Sequence, residues 1–179
     1  MIEEKRKGDR RKNDRRICDR RRREGGDRDN KIEWMNKSKF FDVFSAEDKT
    51  DFLKTYPEFL KFKSGEFIIR KGNMDRSVFI ILIGSAKVVK NPGKREIVLA
   101  QLEAGKTFGE ISFLRKGTRL FDVRAKESTV VISITAEHID SLPVKLQGKM
   151  KGQFLRIMLE RFDDINKKYS ELLSANTLE

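Results

Sequence analysis

Between Gly65 and Thr135 the chain is cut by glycine into short apolar runs. GEFIIRKGN, SVFIILIGSAKVVK, REIVLAQLEAG and STVVISIT are rich in Ile, Val and Leu, with Gly, Asn, Asp or Pro-Gly between them. Short β-branched runs bounded by turn formers read as strands. Spaced this closely, they leave no room for the crossover helices that a parallel sheet needs. The fold class that follows is mainly β with flanking helices: an antiparallel β jelly-roll barrel, an N-terminal helical cap and a long C-terminal helix. Pro92-Gly93, inside VVKNPGKREIV, predicts a turn joining two adjacent strands.

The flanks differ in texture. SAEDKTDFLKTY places Ser45 and Asp48 at capping-box spacing and Phe52, Leu53 and Tyr56 on one helical face. Phe40, Phe41 and Phe44 precede it, so this segment reads as a small cap over the core. After Pro143 the pattern is helical again. Leu155, Met158, Phe162, Ile165, Tyr169 and Leu172 alternate spacings of three and four, the seam of a left-handed coiled pair, which points to a homodimer. Phe154, Ile157 and, as a third member, Leu159 form a second stripe that would lie against the barrel, while Gly148 and Gly152 weaken the first turns. Residues 143–179 therefore read as a lid and dimerisation helix, and residues 32–142 as the barrel with its cap.

Residues 1–31 cannot form a core. They hold fourteen Lys/Arg against eight Asp/Glu, a net of +6, and their only branched aliphatics are Ile2 and Ile17. Such a segment buries too little apolar surface to repay its ordering entropy, so it is expected to be disordered alone. Asp-Arg-Arg recurs at Asp9, Asp14 and Asp19. Two readings stay open: a solubilising charged tail, or an arm that grips nucleic acid or an acidic protein surface. Cys18 is the single cysteine, so no intrachain disulfide can form. The N-terminus lacks an apolar signal core, and no apolar run is long enough to span a membrane. A cytoplasmic location follows as the expectation.

The chemistry concentrates in FGEISFLRKGTRLFDVRA, residues 108–125. A glycine turn lets backbone amides approach a ligand, Glu110 can accept hydrogen bonds from sugar hydroxyls, and Arg119 offers a fork to a phosphate. The intervening residues suit a short helix. Chance supplies glycine-glutamate with a later arginine often; its place after a run of glycine-punctuated strands is what gives it weight. The counter-reading is a structural Arg119, salt-bridged to Asp122 or Glu110.

Taken with KSGEFIIRKGNMDRSVFIILIGSAKVV, LEAGKTFGEISFL and RLFDVRAKESTVVISI, this stretch resembles the cyclic nucleotide-binding domain of catabolite-activator-type regulators, cyclic-nucleotide-dependent kinases and gated channels. The likeness covers residues about 40 to 175, with Gly65, Gly72, Gly84, Gly105 and Gly109 at the barrel turns. It implies a ligand site built from Phe108, Gly109, Glu110, Ile111, Ser112, Arg119, Leu120 and Phe121. Glu110 would hold the ribose 2′-hydroxyl, the Gly109 amide would meet sugar or phosphate, and Arg119 would pair the cyclic phosphate. The implied ligand is cyclic AMP first and cyclic GMP second, with no metal.

Two positions depart from the family pattern. Where it usually has a small residue and then alanine, this chain has Leu120 and Phe121, followed by Asp122. Losing the hydroxyl donor at residue 120 costs about 1.5–3 kcal/mol, one or two powers of ten in affinity. The 37 residues after Leu142 (179 minus 142) are too few for a helix-turn-helix domain, and no kinase motif or nucleophile–base pair is present, so an enzyme is not expected. The expected function is a stand-alone receptor that senses a cyclic nucleotide and signals through its last helix and basic arm. The alternatives are a ligand-free dimeric scaffold of the same fold, or nucleic-acid binding through the arm.

Overall fold

The computed structural model describes residues 28–55, 57–90, 95–115 and 117–176. Helix α1 (Arg28–Asn36), a 3-10 turn (Lys39–Phe41) and α2 (Ala46–Lys54) form the cap. Strands β1 (Glu58–Phe62), β2 (Phe67–Ile69), β3 (Val78–Ile83), β4 (Ala86–Lys90), β5 (Ile97–Leu102) and β6 (Thr107–Phe108) follow. Then come α3 (Glu110–Arg115), β7 (Asp122–Ala125), β8 (Thr129–Ile134), α4 (Ala136–Asp140) and α5 (Val144–Asn176).

The strands make two four-stranded antiparallel sheets, ordered β1-β8-β3-β6 and β2-β7-β4-β5. The jelly-roll expectation holds in this two-sheet form; among the described residues, hydrogen bonding does not close the strands into one barrel. Alternation along β3 and β8 explains why their sequences are apolar throughout. Phe79, Ile81 and Val131 point between the sheets, where they meet Leu60, Ile68 and Val123. Val78, Ile80, Val130, Ile132 and Ile134 point the other way, into a second core with the helices. A strand buried on both faces loses the polar half of its pattern. Strands β4 and β5 pair antiparallel as expected, with a bulge between Val88 and Val89, while their connecting turn at Pro92-Gly93 lies outside the described residues. Gly84 turns the chain before β4 at φ +81°, where a Cβ would stand 2.5 Å from the Ser128 carbonyl oxygen, so no larger residue fits.

The capping box of α2 forms as the spacing predicts: Asp48 N donates to Ser45 Oγ and Ser45 N to Asp48 Oδ2. Lys149 from α5 also donates to Asp48, and that bond holds the Asp48 carboxyl below its ordinary pKa. Phe52 and Leu53 are buried, and Tyr56 lies outside the described residues. The helix α1 begins at Arg28, within the range assigned to the disordered arm. Its Met35 is fully buried, Trp34 packs on Phe59, and Lys31 sits over the Phe59 ring. The remaining arm readings, on residues 1–27, lie outside the described residues. The helix α5 runs unbroken through Gly148 and Gly152.

Candidate functional site

The cassette begins where β6 ends. Phe108 is buried and stacked on Phe79, with ring centroids 5.3 Å apart. Gly109 turns the chain at φ +86°, and α3 starts on Glu110. On this six-residue helix Glu110 and Ser112 are buried while Ile111 and Leu114 are exposed. Ser112 Oγ donates to Thr118 O at 3.3 Å, closing the loop that returns to Arg119. That loop is pinned to residues 72–73, since Arg119 N donates to Asn73 O and Gly72 N to Arg119 O.

Arg119 is only 2% exposed. Its Nη1 donates to Gly109 O at 2.8 Å, and its Nη2 to Asp75 Oδ2 at 3.0 Å and Ser77 O at 2.6 Å. The guanidinium lies 5.5 Å from the centroid of the Phe79 ring. Its carboxylate partner is thus Asp75, where the sequence had pointed to Asp122 or Glu110. Asp75 is itself held by an Asx turn, its Oδ1 accepting from both Ser77 N and Ser77 Oγ. Burial works to raise the Asp75 carboxyl, but the Ser77 bonds and the Arg119 charge outweigh it and leave the pKa below the ordinary value. Asp122 Oδ1 accepts from Lys71 N at 2.7 Å, which ties the start of β7 to the loop after β2.

Glu110 is 1% exposed, and its cation comes from the last helix. Arg161 Nη1 donates to Glu110 Oε1, and Arg161 Nη2 to Thr107 O. Sequence reasoning missed both Asp75 and Arg161. Asp75-x-Ser77 is a local Asx signal that could have flagged the first; nothing in the sequence marks Arg161 among many basic residues.

The residues present suit an anionic sugar. Glu110 Oε2 and Arg119 Nε are buried without a hydrogen-bond partner among the described residues. Of the five guanidinium N–H groups, three are used by the bonds above and two remain. Leu120 and Phe121 are 43% and 37% exposed, so Phe121 does not enter the core, and both flank the buried arginine at the surface. An apolar groove of about 400 Å³ lies between α3, α4 and α5, lined by Phe113, Leu114, Ile139, Phe154, Leu155 and Met158 among others. Neither Glu110 nor Arg119 lines it. Among the described residues no group of three or more His, Cys, Asp or Glu is placed to hold a metal, and no helix is long and apolar enough to cross a membrane.

The architecture is two antiparallel sheets with a glycine-glutamate turn into α3 and a long last helix. Residues 59–143 match the model of the cyclic nucleotide-binding domain family. Human potassium/sodium hyperpolarization-activated cyclic nucleotide-gated channel 1 is 31% identical over 112 residues, 63% of this chain but only 12% of the channel. A cyclic nucleotide-binding domain from Methylobacillus flagellatus KT superposes with a TM-score of 0.66 at 24% identity, covering 82% of each chain. The regulatory domain of Toxoplasma gondii PKA, solved with cAMP, gives a TM-score of 0.57 at 22% identity over 80% of this chain and 50% of that one.

Proposed function

We propose that the protein is a cyclic nucleotide receptor whose bound state is reported by α5. The observation that carries this reading is the bond from Arg161 to Glu110. One buried carboxylate serves both as the expected sugar acceptor and as the docking point of the long helix. With Oε1 taken by Arg161 and Oε2 unpartnered, a ribose hydroxyl donating to Glu110 competes with Arg161 for the carboxylate's acceptor sites. Ligand binding then biases where α5 lies, which is the differential contact a two-state sensor requires. Arg119, pre-set by Asp75, Ser77 and Gly109, would direct its two remaining N–H groups to the cyclic phosphate. The loop carrying Leu120 must open for this, because the guanidinium is buried.

Cyclic AMP is the first candidate ligand, supported by the shared fold of a regulatory domain solved with it. The protein acts as a homodimer through Leu155, Met158, Phe162, Ile165, Tyr169 and Leu172, all of which stand exposed in a single chain. A second reading is favoured by the three intrachain bonds of Arg119. A guanidinium so fully engaged suits a ligand-free scaffold as well.

Calorimetric titration of the full chain with cyclic AMP, cyclic GMP and cyclic-di-GMP at low salt decides between them. The receptor reading expects micromolar binding of a cyclic mononucleotide, weakened at least tenfold by Arg119→Lys, which keeps the charge but loses the fork. Silence from all three nucleotides, with the protein folded, leaves the scaffold.

A further inference from the structure

We propose that Thr107 is a specificity residue of the ligand site. Its hydroxyl donates to the same ligand hydroxyl that donates to Glu110, so the pair selects a sugar with that hydroxyl free. This deepens the receptor reading above and rests on it.

Thr107 lies two residues before Gly109 and is 3% exposed, and its Oγ1 has no hydrogen-bond partner among the described residues. A buried hydroxyl left unpaired is costly. Valine has nearly the same shape and suits a strand as well, without that cost. Threonine here is therefore matched to a partner that the surrounding side chains do not supply.

Strand register fixes where the hydroxyl points. In the β3–β6 ladder Thr107 is opposite Ile80, and Phe108 is opposite Phe79. Opposed residues of an antiparallel pair share a face. Phe79 and Phe108 pack between the sheets, whereas Ile80 packs in the core with the helices. Thr107 thus faces the side on which α5 lies. Arg161 of α5 reaches in from that side and joins the two residues, Nη1 donating to Glu110 Oε1 and Nη2 to Thr107 O. One planar guanidinium spans both, so Thr107 and Glu110 meet at a single corner beneath α5. Each brings a buried oxygen without a partner to it, Thr107 Oγ1 and Glu110 Oε2.

The two oxygens ask for opposite things. A carboxylate can only accept, while the threonine hydroxyl has a proton to donate. One ligand hydroxyl satisfies both, donating to Glu110 Oε2 and accepting from Thr107 Oγ1. An ether or carbonyl oxygen has nothing to donate, and a phosphate oxygen is repelled by the carboxylate. In a 3′,5′-cyclic nucleotide the oxygens on C3′ and C5′ are esterified. The free sugar hydroxyl is the one on C2′, and it is the group that this corner reads.

Calorimetry of the full chain with cyclic AMP and 2′-deoxy cyclic AMP tests this on the wild type, Thr107→Val and Thr107→Ser. The valine variant should bind cyclic AMP about fivefold more weakly or worse, and serine should restore affinity to within about twofold. For the deoxy analogue, valine should cost nothing further, because the bond it removes is already absent. If the valine variant does not fold, as circular dichroism will show, Thr107→Ala takes its place. Undiminished binding of cyclic AMP by the folded variant overturns the role of Thr107 and leaves the receptor reading intact. A loss that serine does not restore, or that falls equally on both nucleotides, makes Thr107 structural and overturns it too. A wild-type chain that binds no cyclic nucleotide overturns both readings.

Discussion

Arg119 occupies space that only a missing side chain leaves open. A Cβ on Gly109 would stand 2.7 Å from Arg119 Nη1 and 3.0 Å from the Ser77 carbonyl oxygen, at a φ of +86° that L side chains rarely adopt. Gly109→Ala should therefore cost more than the backbone penalty alone, on the order of 2–4 kcal/mol, read as a lowered denaturation midpoint. The candidate site residues themselves were legible: Glu110 and Arg119 stand out by type, spacing and their place after the strands. Their partners were not. Asp75 is 44 residues from Arg119, and Arg161 is 51 from Glu110, so no local spacing joins them. Leu120 and Phe121 raised the prospect of a blocked pocket; the fold leaves both at the surface, a distinction that alternation along a strand could not make, because β7 begins only at Asp122.

Among the elements, α4 shows how a cap can carry a titration. Thr135 and His138 form a capping box in which Thr135 N donates to His138 Nδ1 at 3.1 Å, so the imidazole must be neutral. Burial lowers the His138 pKa from its ordinary 6.5, and the charges of Glu58 and Glu137 only partly oppose it. A folded-state value below the unfolded one means this contribution is whole above about pH 6.5 and is lost as pH falls through the folded value. Melting temperature should thus fall between pH 7 and pH 5. His138→Gln, which keeps a capping side chain without a proton to take up, should flatten that part of the profile. The helices α2, α3 and α5 were readable from Ser45 and Asp48, from the cassette, and from the break at Pro143. The helix α1 was not, because RDNKIEWMN has charged residues around few apolar ones and packs by Met35 and Trp34 after the chain has turned.

For the whole molecule, the divide between the charged N-terminus and the packed body lies earlier than composition suggested. The first 31 residues carry +6 of the total +12, yet Met35, four positions on, is fully buried. Met35→Ala should cost about 2–5 kcal/mol, as for any large core truncation, and calorimetric melting will show it. The antiparallel jelly-roll was foreseeable from glycine spacing; that among the described residues its strands form two separate ladders was not, since closure depends on strand pairing that alternation does not encode.

The distance between Glu110 and its cation also has a temporal side. During synthesis the two sheets and the cassette emerge from the ribosome well before residue 161. Until then Glu110 has no arginine from α5, and burying a carboxylate alone is strongly disfavoured. On this ground the corner around Glu110 is expected to close only once α5 docks.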